Sequence, residues 1–237
     1  MKPLISCVLV TRDRPVFFRQ ALRCFAAQDY PNKELIVIDD GEAAVDAECD
    51  GVRGLTYVRL KGPVPIGTKL NIGVEIARGD ILQKLDDDDY YAPRFLSAAA
   101  ARLARARRSD ALVVWCCFAV LIAGDPRLYF SGHGWKTGGT LCFRRALWQR
   151  TPFRDMNNSS DSWFIRDNDP VIARVCDSSL YMVVRHGRNT WNQIAGEPSV
   201  ESYFRKQRFG TPIPRLVGRT NAPFYRSLAA ARAPVRT

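Results

Sequence analysis

The sequence predicts an α/β protein with a mostly parallel central sheet that is flanked by helices. Apolar runs of strand length alternate with segments of helical periodicity over residues 4–108. Two of these runs end directly in carboxylates, at Asp39-Asp40 and at Asp86 to Asp89. A chain of 237 residues, with 46% apolar and 25% charged residues, is long enough for one large domain. Alternation of this kind favours parallel strands with helices on both faces of the sheet.

In the first half of the chain, each predicted strand is a short apolar run bounded by turn or helix signals. Pro15 suits the first turn of the first helix, where proline loses no helical hydrogen bond. Phe18, Leu22 and Phe25 give that helix one apolar face. Gly79 marks the end of the helix before the fourth strand. The predicted strands cover residues 4–10, 34–38, 56–60 and 81–85, and the predicted helices cover residues 15–28, 68–77 and 93–108.

The second half is less regular. We predict strands at residues 112–123, 140–143 and 180–184, a Gly-rich loop at 130–139, and short helices at 144–149 and around 161–165. From residue 211 the chain contains five arginines and no acidic residue. Residues 211–237 are therefore predicted to form a mobile or surface-draped basic tail, a short C-terminal extension of the main domain.

The net charge of +11 favours an anionic partner, which could be nucleic acid, a membrane surface or a phosphorylated small molecule. The seven cysteines include no CxxC pair, so we expect free, buried thiols in a reducing cytoplasm. No signal-peptide pattern is evident, and the longest uncharged run, residues 111–124, is too short to span a bilayer. We expect a cytoplasmic location, with peripheral attachment to a membrane as an alternative.

Four consecutive aspartates, Asp86 to Asp89, form the most informative stretch, which we call the aspartate cluster. Adjacent carboxylates at the end of a buried strand repel one another unless a cation lies among them. Oxygen ligands without nearby thiolates suit Mg²⁺ or Mn²⁺. A solvated acidic turn is the alternative for such a run. The predicted strand before it favours a binding site, because ligands of open α/β sheets bind beyond the carboxyl ends of strands.

Taken together, several short motifs resemble a family-2 inverting glycosyltransferase of the GT-A fold, a single Rossmann-like domain. The resemblance extends from Ile5 to about Trp191, and it rests on the joint order and spacing of the motifs. They lie at residues 10–15, 28–41, 69–73, 77–80, 85–89, 138–145, 161–164 and 185–191. The resemblance implies a GT-A domain over residues 1–210, with a nucleotide-binding half at 1–110 and an acceptor-binding half at 111–210.

The aspartate cluster is similar to the DxD motif of that family, which binds a divalent metal bridging the nucleotide diphosphate. We expect Asp86 and Asp88 to be the DxD pair, with Asp88 as the direct ligand of Mn²⁺ or Mg²⁺. By the same resemblance Asp87 faces the ribose and Asp89 fixes a neighbouring loop. His186 matches the late histidine of the GT-A fold, a third protein ligand of the metal, although a lone strand-end histidine is more often structural.

Donor-binding residues follow from the same resemblance. Asp39 and Asp40 match the acidic pair in which a carboxylate accepts from the imide N–H of the base, which suits uracil. Thr11 and Arg14 match the loop after the first strand, although Arg12-Asp13 stands where the family often has Tyr-Asn, so the donor base stays open. Lys69 could neutralise a diphosphate oxygen, or it could be a solvated lysine at the start of a helix.

Asp161 is the candidate catalytic base, because inverting transfer needs one carboxylate to take the proton of the acceptor hydroxyl. The family usually has Glu-Asp here, where this chain has Ser160-Asp161. The alternative is that Asp161 caps the helix that follows. Gly138 and Gly139 resemble the loop that lets the donor sugar approach the backbone closely.

The predicted function is metal-dependent transfer of a sugar from a nucleoside-diphosphate sugar, a UDP-sugar, to a hydroxyl of a glycan or lipid-linked acceptor. The basic tail could contact an anionic surface. Two alternatives are a glycosyltransferase-like enzyme that acts on nucleic acid and a nucleotidyltransferase that releases pyrophosphate. Nucleic acid is the less favoured partner, because acidic residues line the predicted sheet edge and no DNA- or RNA-binding motif is evident.

Overall fold

The computed structural model describes residues 2–231 of the protein, which fold into two sheets and their flanking helices. The strands are β1 (Ile5–Thr11), β2 (Lys33–Asp39), β3 (Leu55–Arg59), β4 (Ile81–Asp86), β5 (Tyr90–Tyr91), β6 (Ala111–Trp115), β7 (Ala119–Ile122), β8 (Leu128–Phe130), β9 (Cys142–Arg144), β10 (Val171–Val175), β11 (Tyr181–Arg185) and β12 (Arg208–Phe209). The helices are α1 (Pro15–Ala26), α2 (Ile66–Ile76), α3 (Phe95–Ala106), α4 (Arg145–Arg150), α5 (Ser160–Asn168), α6 (Val200–Phe204) and α7 (Ile213–Ala230).

The main sheet has seven strands in the order β10-β6-β9-β4-β1-β2-β3. Strand β1 pairs in parallel with β2 and β4, and β2 pairs in parallel with β3. Strand β9 is antiparallel to both β4 and β6, so all the other strands of this sheet run in one direction. The carboxyl ends of β1, β2 and β4 therefore open onto the same edge. This confirms the predicted α/β class with a mostly parallel central sheet.

Alternating side chains of the main sheet enter two separate cores. On β1, Ile5, Cys7 and Leu9 face the core that contains α1, α3 and α7, whereas Val8 faces the core of α2, α4 and α5. Both faces of the sheet are thus covered, which is why its strands read as continuous apolar runs. The smaller sheet, in the order β12-β8-β7-β11-β5, packs on the first of these faces.

Three features of the strands differ from the prediction. The run predicted as one strand at 112–123 forms β6 and β7, because the chain bends at Cys116 and β7 enters the second sheet. Strands β5, β8 and β12 have two or three residues each, too few for a periodic pattern. Strand β10 lies at the edge of the main sheet and is only partly buried, and Arg174 interrupts its short apolar run.

The C-terminal segment is not the mobile tail that its composition predicts. Helix α7 buries five side chains against the protein, Ile213, Val217, Ala222, Tyr225 and Ala229. The backbone is kinked at Gly218, where φ is 76°, a conformation that favours glycine. Residues 232–237 of the predicted tail lie outside the described residues. The proposed division of the chain into halves stays a prediction.

The expectation that all cysteines are free is wrong for Cys116 and Cys176, which form a disulfide. It links the end of β6 to the end of β10, where Trp115 pairs with Val175. The sequence gives no sign of it, because the two residues are separated by 60 positions. The other five cysteines are free, and all of these but Cys49 are buried. Within residues 2–231 no helix is both long and apolar enough to cross a membrane.

Candidate functional site

The carboxyl ends of β1 and β4 open into a cleft of about 1020 Å³. Its walls include the loop after β1, the aspartate cluster after β4, the loop after β11 and the start of α5. Ten of the twelve predicted site residues line the cleft, and the other two, Asp39 and His186, do not. The ten that line it are Thr11, Arg14, Asp40, Lys69, Asp86, Asp87, Asp88, Gly138, Gly139 and Asp161.

Asp87 and Asp88 are joined to the loop after β1 through Arg14. Thr11 Oγ1 donates to Asp87 at 2.8 Å, and Arg14 Nη1 donates to Asp87 at 3.0 Å and to Asp88 at 2.9 Å. Nη2 of Arg14 donates to the carbonyl of Arg188 at 2.7 Å. One guanidinium therefore fixes the aspartate cluster, the loop after β1 and the loop after β11 relative to one another.

His186 lies at the end of β11 and reaches the same carboxylate. Its Nε2 is 2.9 Å from Asp88 Oδ2, and its ring packs against Phe17 with centroids 4.6 Å apart. Asn189 Nδ2 also lies 3.3 Å from Asp88 Oδ2. The late histidine thus meets the third aspartate of the cluster.

The first and last aspartates of the cluster have different surroundings. Asp89 is buried, accepts from the backbone N–H of Val184 at 3.0 Å, and accepts from the hydroxyl of Tyr181. It therefore ties the cluster to β11. Asp86 faces the cleft and accepts from Lys84 Nζ at 2.6 Å.

Lys84 is a site residue that the sequence interpretation missed. Its side chain is only 6% exposed, and its ammonium lies 2.6 Å from Asp86 and 3.8 Å from Asp161. It is thus a fixed positive charge between the aspartate cluster and the candidate base. A lysine in an otherwise buried strand, two residues before a carboxylate, was the signal that could have identified it.

Asp39 and Asp40 are both buried, but only Asp40 lines the cleft. Asp39 accepts hydrogen bonds from the N–H of Gly41 at 2.8 Å, and from Tyr57 and Arg59 at 2.7 Å each. Through these bonds, the carboxylate of Asp39 holds the loop after β2 in its conformation.

Asp40 accepts from the N–H of Val64 at 2.8 Å and from Lys69 Nζ at 2.6 Å. Lys69 is 4% exposed, so it is not the solvated lysine of the alternative interpretation. The buried pair joins the start of α2 to the end of β2 beside the cleft.

Asp161 lies in the first turn of α5, across two glycines from the aspartate cluster. A Cβ atom added to Gly138 would stand 1.7 Å from Asp161 Oδ2, and one added to Gly139 would stand 2.6 Å from Asp86 Oδ2. Both glycines are therefore required by the close approach of carboxylates. Ser159 precedes the helix and no side-chain hydrogen bond caps it, so Asp161 does not act as an N-cap.

The electrostatics of the cluster separate its members. Burial raises the pKa of Asp87 to about 6, and the charge of Asp88 adds to this effect. Burial also raises the pKa of Asp86 and, more strongly, that of Asp89. For Asp88, burial is outweighed by the hydrogen bond from His186 and the charge of Arg14, which hold its pKa below the ordinary value. Asp88 is thus the member most firmly ionised.

Asp88 and His186 fit a divalent cation, because a carboxylate and an imidazole meet there within 2.9 Å at the cleft. Two fixed cations, Arg14 and Lys84, contact the cluster of four aspartates, which leaves negative charge uncompensated. Asp86 does not join this pair directly. The ligand atoms of Asp86, Asp88 and His186 are not all within 4.8 Å of one another in the described part of the chain.

A model of the family described as glycosyl transferase family 2 matches residues 6–167, more than half of the chain. Among curated relatives, an uncharacterized glycosyltransferase of Rickettsia typhi is 26% identical over 131 residues, which is 54% of this chain and 40% of the relative.

The fold is similar to solved structures of proteins in complex with nucleotide sugars. Staphylococcus aureus TarS, residues 1–349, in complex with UDP-GlcNAc superposes with a TM-score of 0.59 at 18% identity, over 80% of this chain and 60% of the other. The mannosyltransferase PcManGT of Pyrobaculum calidifontis, in complex with GDP-Man and Mn²⁺, has a TM-score of 0.58 at 17% identity, over 80% and 59%. The chain thus spans about 40–60% of the length of these proteins.

The matches support the enzyme class predicted from the sequence, and they lend no support to the nucleic-acid and nucleotidyltransferase alternatives. The parallel sheet, the cleft at its carboxyl edge and the family match agree with one another. The chain belongs to glycosyl transferase family 2 and has the GT-A fold.

Proposed function

We propose that the protein is a metal-dependent, inverting glycosyltransferase that moves a sugar from a UDP-sugar to a hydroxyl acceptor. One observation carries the proposal. Gly138 and Gly139 lie between the aspartate cluster and Asp161, each so close to a carboxylate that a Cβ atom has no room. A donor sugar over these glycines would have the metal-binding side of the cleft on one flank and a free carboxylate on the other.

Asp161 is the proposed base. As the acceptor hydroxyl attacks the anomeric carbon, its oxygen forms the new glycosidic bond and its proton passes to the Asp161 carboxylate. The bond between the anomeric carbon and the diphosphate oxygen breaks on the opposite face, so the configuration inverts. The ammonium of Lys84 lies 3.8 Å from Asp161, so a fixed positive charge stands beside the proposed base.

The donor is proposed to bind along Thr11, Arg14, Asp40 and Lys69. A UDP-sugar is favoured because a carboxylate such as Asp40 can accept from the imide N–H of uracil. Lys69 donates to Asp40 at 2.6 Å, so its proposed role is to hold that carboxylate in place beside the uracil ring. TarS in complex with UDP-GlcNAc is a structural neighbour that supports this choice. Asp39 is proposed to hold the loop after β2 and not to contact the uracil ring.

Asp88 and His186 are the residues proposed to hold Mn²⁺ or Mg²⁺, with Asp86 joining them if it turns from Lys84. The ion would neutralise the negative charge that develops on the departing diphosphate. Asp87 then positions Thr11 and Arg14 under the ribose. PcManGT in complex with Mn²⁺ supports metal use within this fold.

The acceptor is proposed to be a hydroxyl of a glycan or a lipid-linked saccharide. Lys136 and Arg188 are exposed at the cleft rim, and Arg215, Arg219 and Arg226 are exposed on α7. These cations would suit an acceptor or a surface that carries phosphate.

Thermal unfolding with UDP, GDP or CDP, each with and without Mn²⁺, tests the donor site. At a 100-fold excess over Kd, bound ligand stabilises by about 2.7 kcal/mol, which raises the Tm of a chain of this size by roughly 5–10 °C. We expect this rise with UDP only when Mn²⁺ is present, and smaller rises with GDP and CDP.

Asp88→Asn should abolish the metal-dependent part of the rise, because it removes the most firmly ionised ligand. Asp110→Asn is the matched control, since it removes a carboxylate that pairs with Arg108 outside the cleft. If no nucleoside diphosphate raises Tm in a metal-dependent way, the proposed donor and metal are wrong.

A further inference from the structure

A second group of metal-ligating side chains lies outside the aspartate cluster. Cys116 and Cys117 follow β6, and the ligand atoms of these two residues and of His133 all lie within 4.8 Å of one another. Cys116 is also bonded to Cys176, which is exposed and is not among the three residues whose ligand atoms lie together. We call Cys116, Cys117 and His133 the cysteine–histidine cluster.

The chemistry of this cluster differs from that of the donor site. Two sulfurs and one imidazole are soft and borderline ligands, and Cys₂His is a ligand set of Zn²⁺ sites that keep the fourth position for water. Cys116 and Cys117 are each 2% exposed, whereas His133 is exposed. The sulfurs are therefore shielded from water, and the imidazole side leaves a path by which an ion can enter.

We propose that reduction of the Cys116–Cys176 disulfide converts the cysteine–histidine cluster into a site for one Zn²⁺ ion. A thiol or phosphine reductant supplies two electrons to the sulfur–sulfur bond, and each sulfur takes up one proton. Binding of Zn²⁺ then releases the protons of Cys116 and Cys117, while His133 binds as neutral imidazole. The disulfide and the metal site exclude each other, because both use the sulfur of Cys116.

The site would act on the loop that forms one wall of the donor cleft. The N–H of Trp135 donates to the carbonyl of Cys116 at 3.1 Å, and Thr137 Oγ1 donates to the carbonyl of Trp115 at 2.8 Å. This loop continues into Gly138 and Gly139. The disulfide joins β6 to β10, whereas a bound ion would join the end of β6 to His133 and thereby to the start of the loop.

Titration of the full chain with Co²⁺ under anaerobic conditions tests the proposal, after reduction with a phosphine. Thiolate ligands give Co²⁺ intense charge-transfer absorption, which carboxylates at the aspartate cluster cannot produce, so the result is independent of the proposed glycosyl transfer. We expect the absorption to saturate at one equivalent of Co²⁺ and to disappear when one equivalent of Zn²⁺ is added. The disulfide-bonded protein should show none.

Two variants and one control decide which side chains bind. Cys117→Ser and His133→Asn each remove a proposed ligand. Each should weaken Co²⁺ binding by more than about tenfold, because even the loss of an outer-shell partner can cost that much. His133 is exposed, so its replacement leaves the fold intact. Cys49→Ser changes a free thiol elsewhere and should have no effect. Absence of the absorption in reduced protein, its presence in disulfide-bonded protein, or wild-type affinity for Co²⁺ in both variants would overturn the proposal.

Discussion

The two sides of the cleft differ in how firmly their carboxylates are held. On the side proposed to bind the donor, Asp40, Asp87 and Asp89 are buried, and each accepts at least two hydrogen bonds from other residues. Asp86 is the exception on this side, because it is 30% exposed and accepts from Lys84. On the other side, the side chain of Asp161 is 28% exposed and accepts one hydrogen bond, from Ser160 at 3.1 Å. The donor side is therefore preorganised, whereas Asp161 keeps the freedom to meet a hydroxyl.

The rim near Asp161 continues this contrast. Asn157 and Asn158 line the cleft, are exposed, and have no side-chain partner within residues 2–231. Preorganised donors and acceptors around a diphosphate cost no reorganisation when charge develops. A rim of unpaired amides can instead adjust to an incoming acceptor, so we expect the specificity for the acceptor to lie in these loops.

The largest expected effect is on catalysis, at Asp161. Asp161→Asn should lower the rate of sugar transfer by about 10²- to 10⁴-fold, because it removes the group that accepts the proton. The rise in Tm produced by UDP with Mn²⁺ should be retained, because the donor side is unchanged. Rates of UDP release with an acceptor present, beside thermal unfolding with UDP, measure the two effects separately.

Asp167→Asn is the matched control for this variant. It removes a carboxylate from the same helix, α5, whose side chain pairs with Arg154 instead of facing the cleft. We expect its transfer rate to equal that of the wild type. Wild-type transfer by Asp161→Asn would remove Asp161 from the role of base.

A smaller effect is expected where the two sides meet, at Lys84. Lys84→Met leaves Asp86 and Asp161 without the ammonium that lies between them, and the loss of one member of a buried pair is destabilising. We expect the free energy of unfolding at pH 7 to fall by about 2–3 kcal/mol. Urea unfolding at pH 7 and pH 5 measures it, and the loss should be smaller at pH 5, where the raised pKa of Asp86 favours its neutral form.

Lys61→Met is the control for Lys84→Met. Lys61 is exposed in the loop after β3, and exposed substitutions change stability by roughly 0.5 kcal/mol or less. Equal stability of Lys84→Met and Lys61→Met would show that Lys84 is not what holds the two carboxylates together.

The donor side could be predicted from the sequence largely because its geometry is local. Strands β1, β2 and β4 are apolar runs, and parallel pairing brings their carboxyl ends, with Asp40 and Asp86, to one edge. The contact between Lys84 and Asp161 could not be predicted, because it joins residues of two elements that only the fold brings together. The Cys116–Cys176 bond escaped prediction for the same reason.

Helix α7 teaches a different lesson, since its signal was present in the sequence. The apolar residues Ile213, Val217, Ala222, Tyr225 and Ala229 recur at spacings of three to five, and all are buried. Two prolines, a glycine and the arginines outweighed this pattern in the prediction. The basic composition predicts the exposed face of the helix correctly. It does not predict the apolar face that packs on the protein.

The smallest expected effect is the contribution of Asp87 to the pH dependence of stability. The pKa of Asp87 is about 6 in the folded protein, above the ordinary value of about 3.9. Its contribution to stability is therefore complete below pH ~4 and is lost as pH rises through about 6. Between pH 5 and 7, the metal-free wild type should lose about 1 kcal/mol more unfolding free energy than Asp87→Asn.

Urea unfolding across this pH range measures the difference, with Asp110→Asn as the control. A hydrogen bond from Arg108 holds the pKa of Asp110 below its ordinary value, so its titration lies below this range and the control should follow the wild type. Identical pH dependence of Asp87→Asn and wild type would mean that Asp87 is already ionised at pH 5. Asp87 would then contribute no change of charge to the aspartate cluster between pH 5 and pH 7.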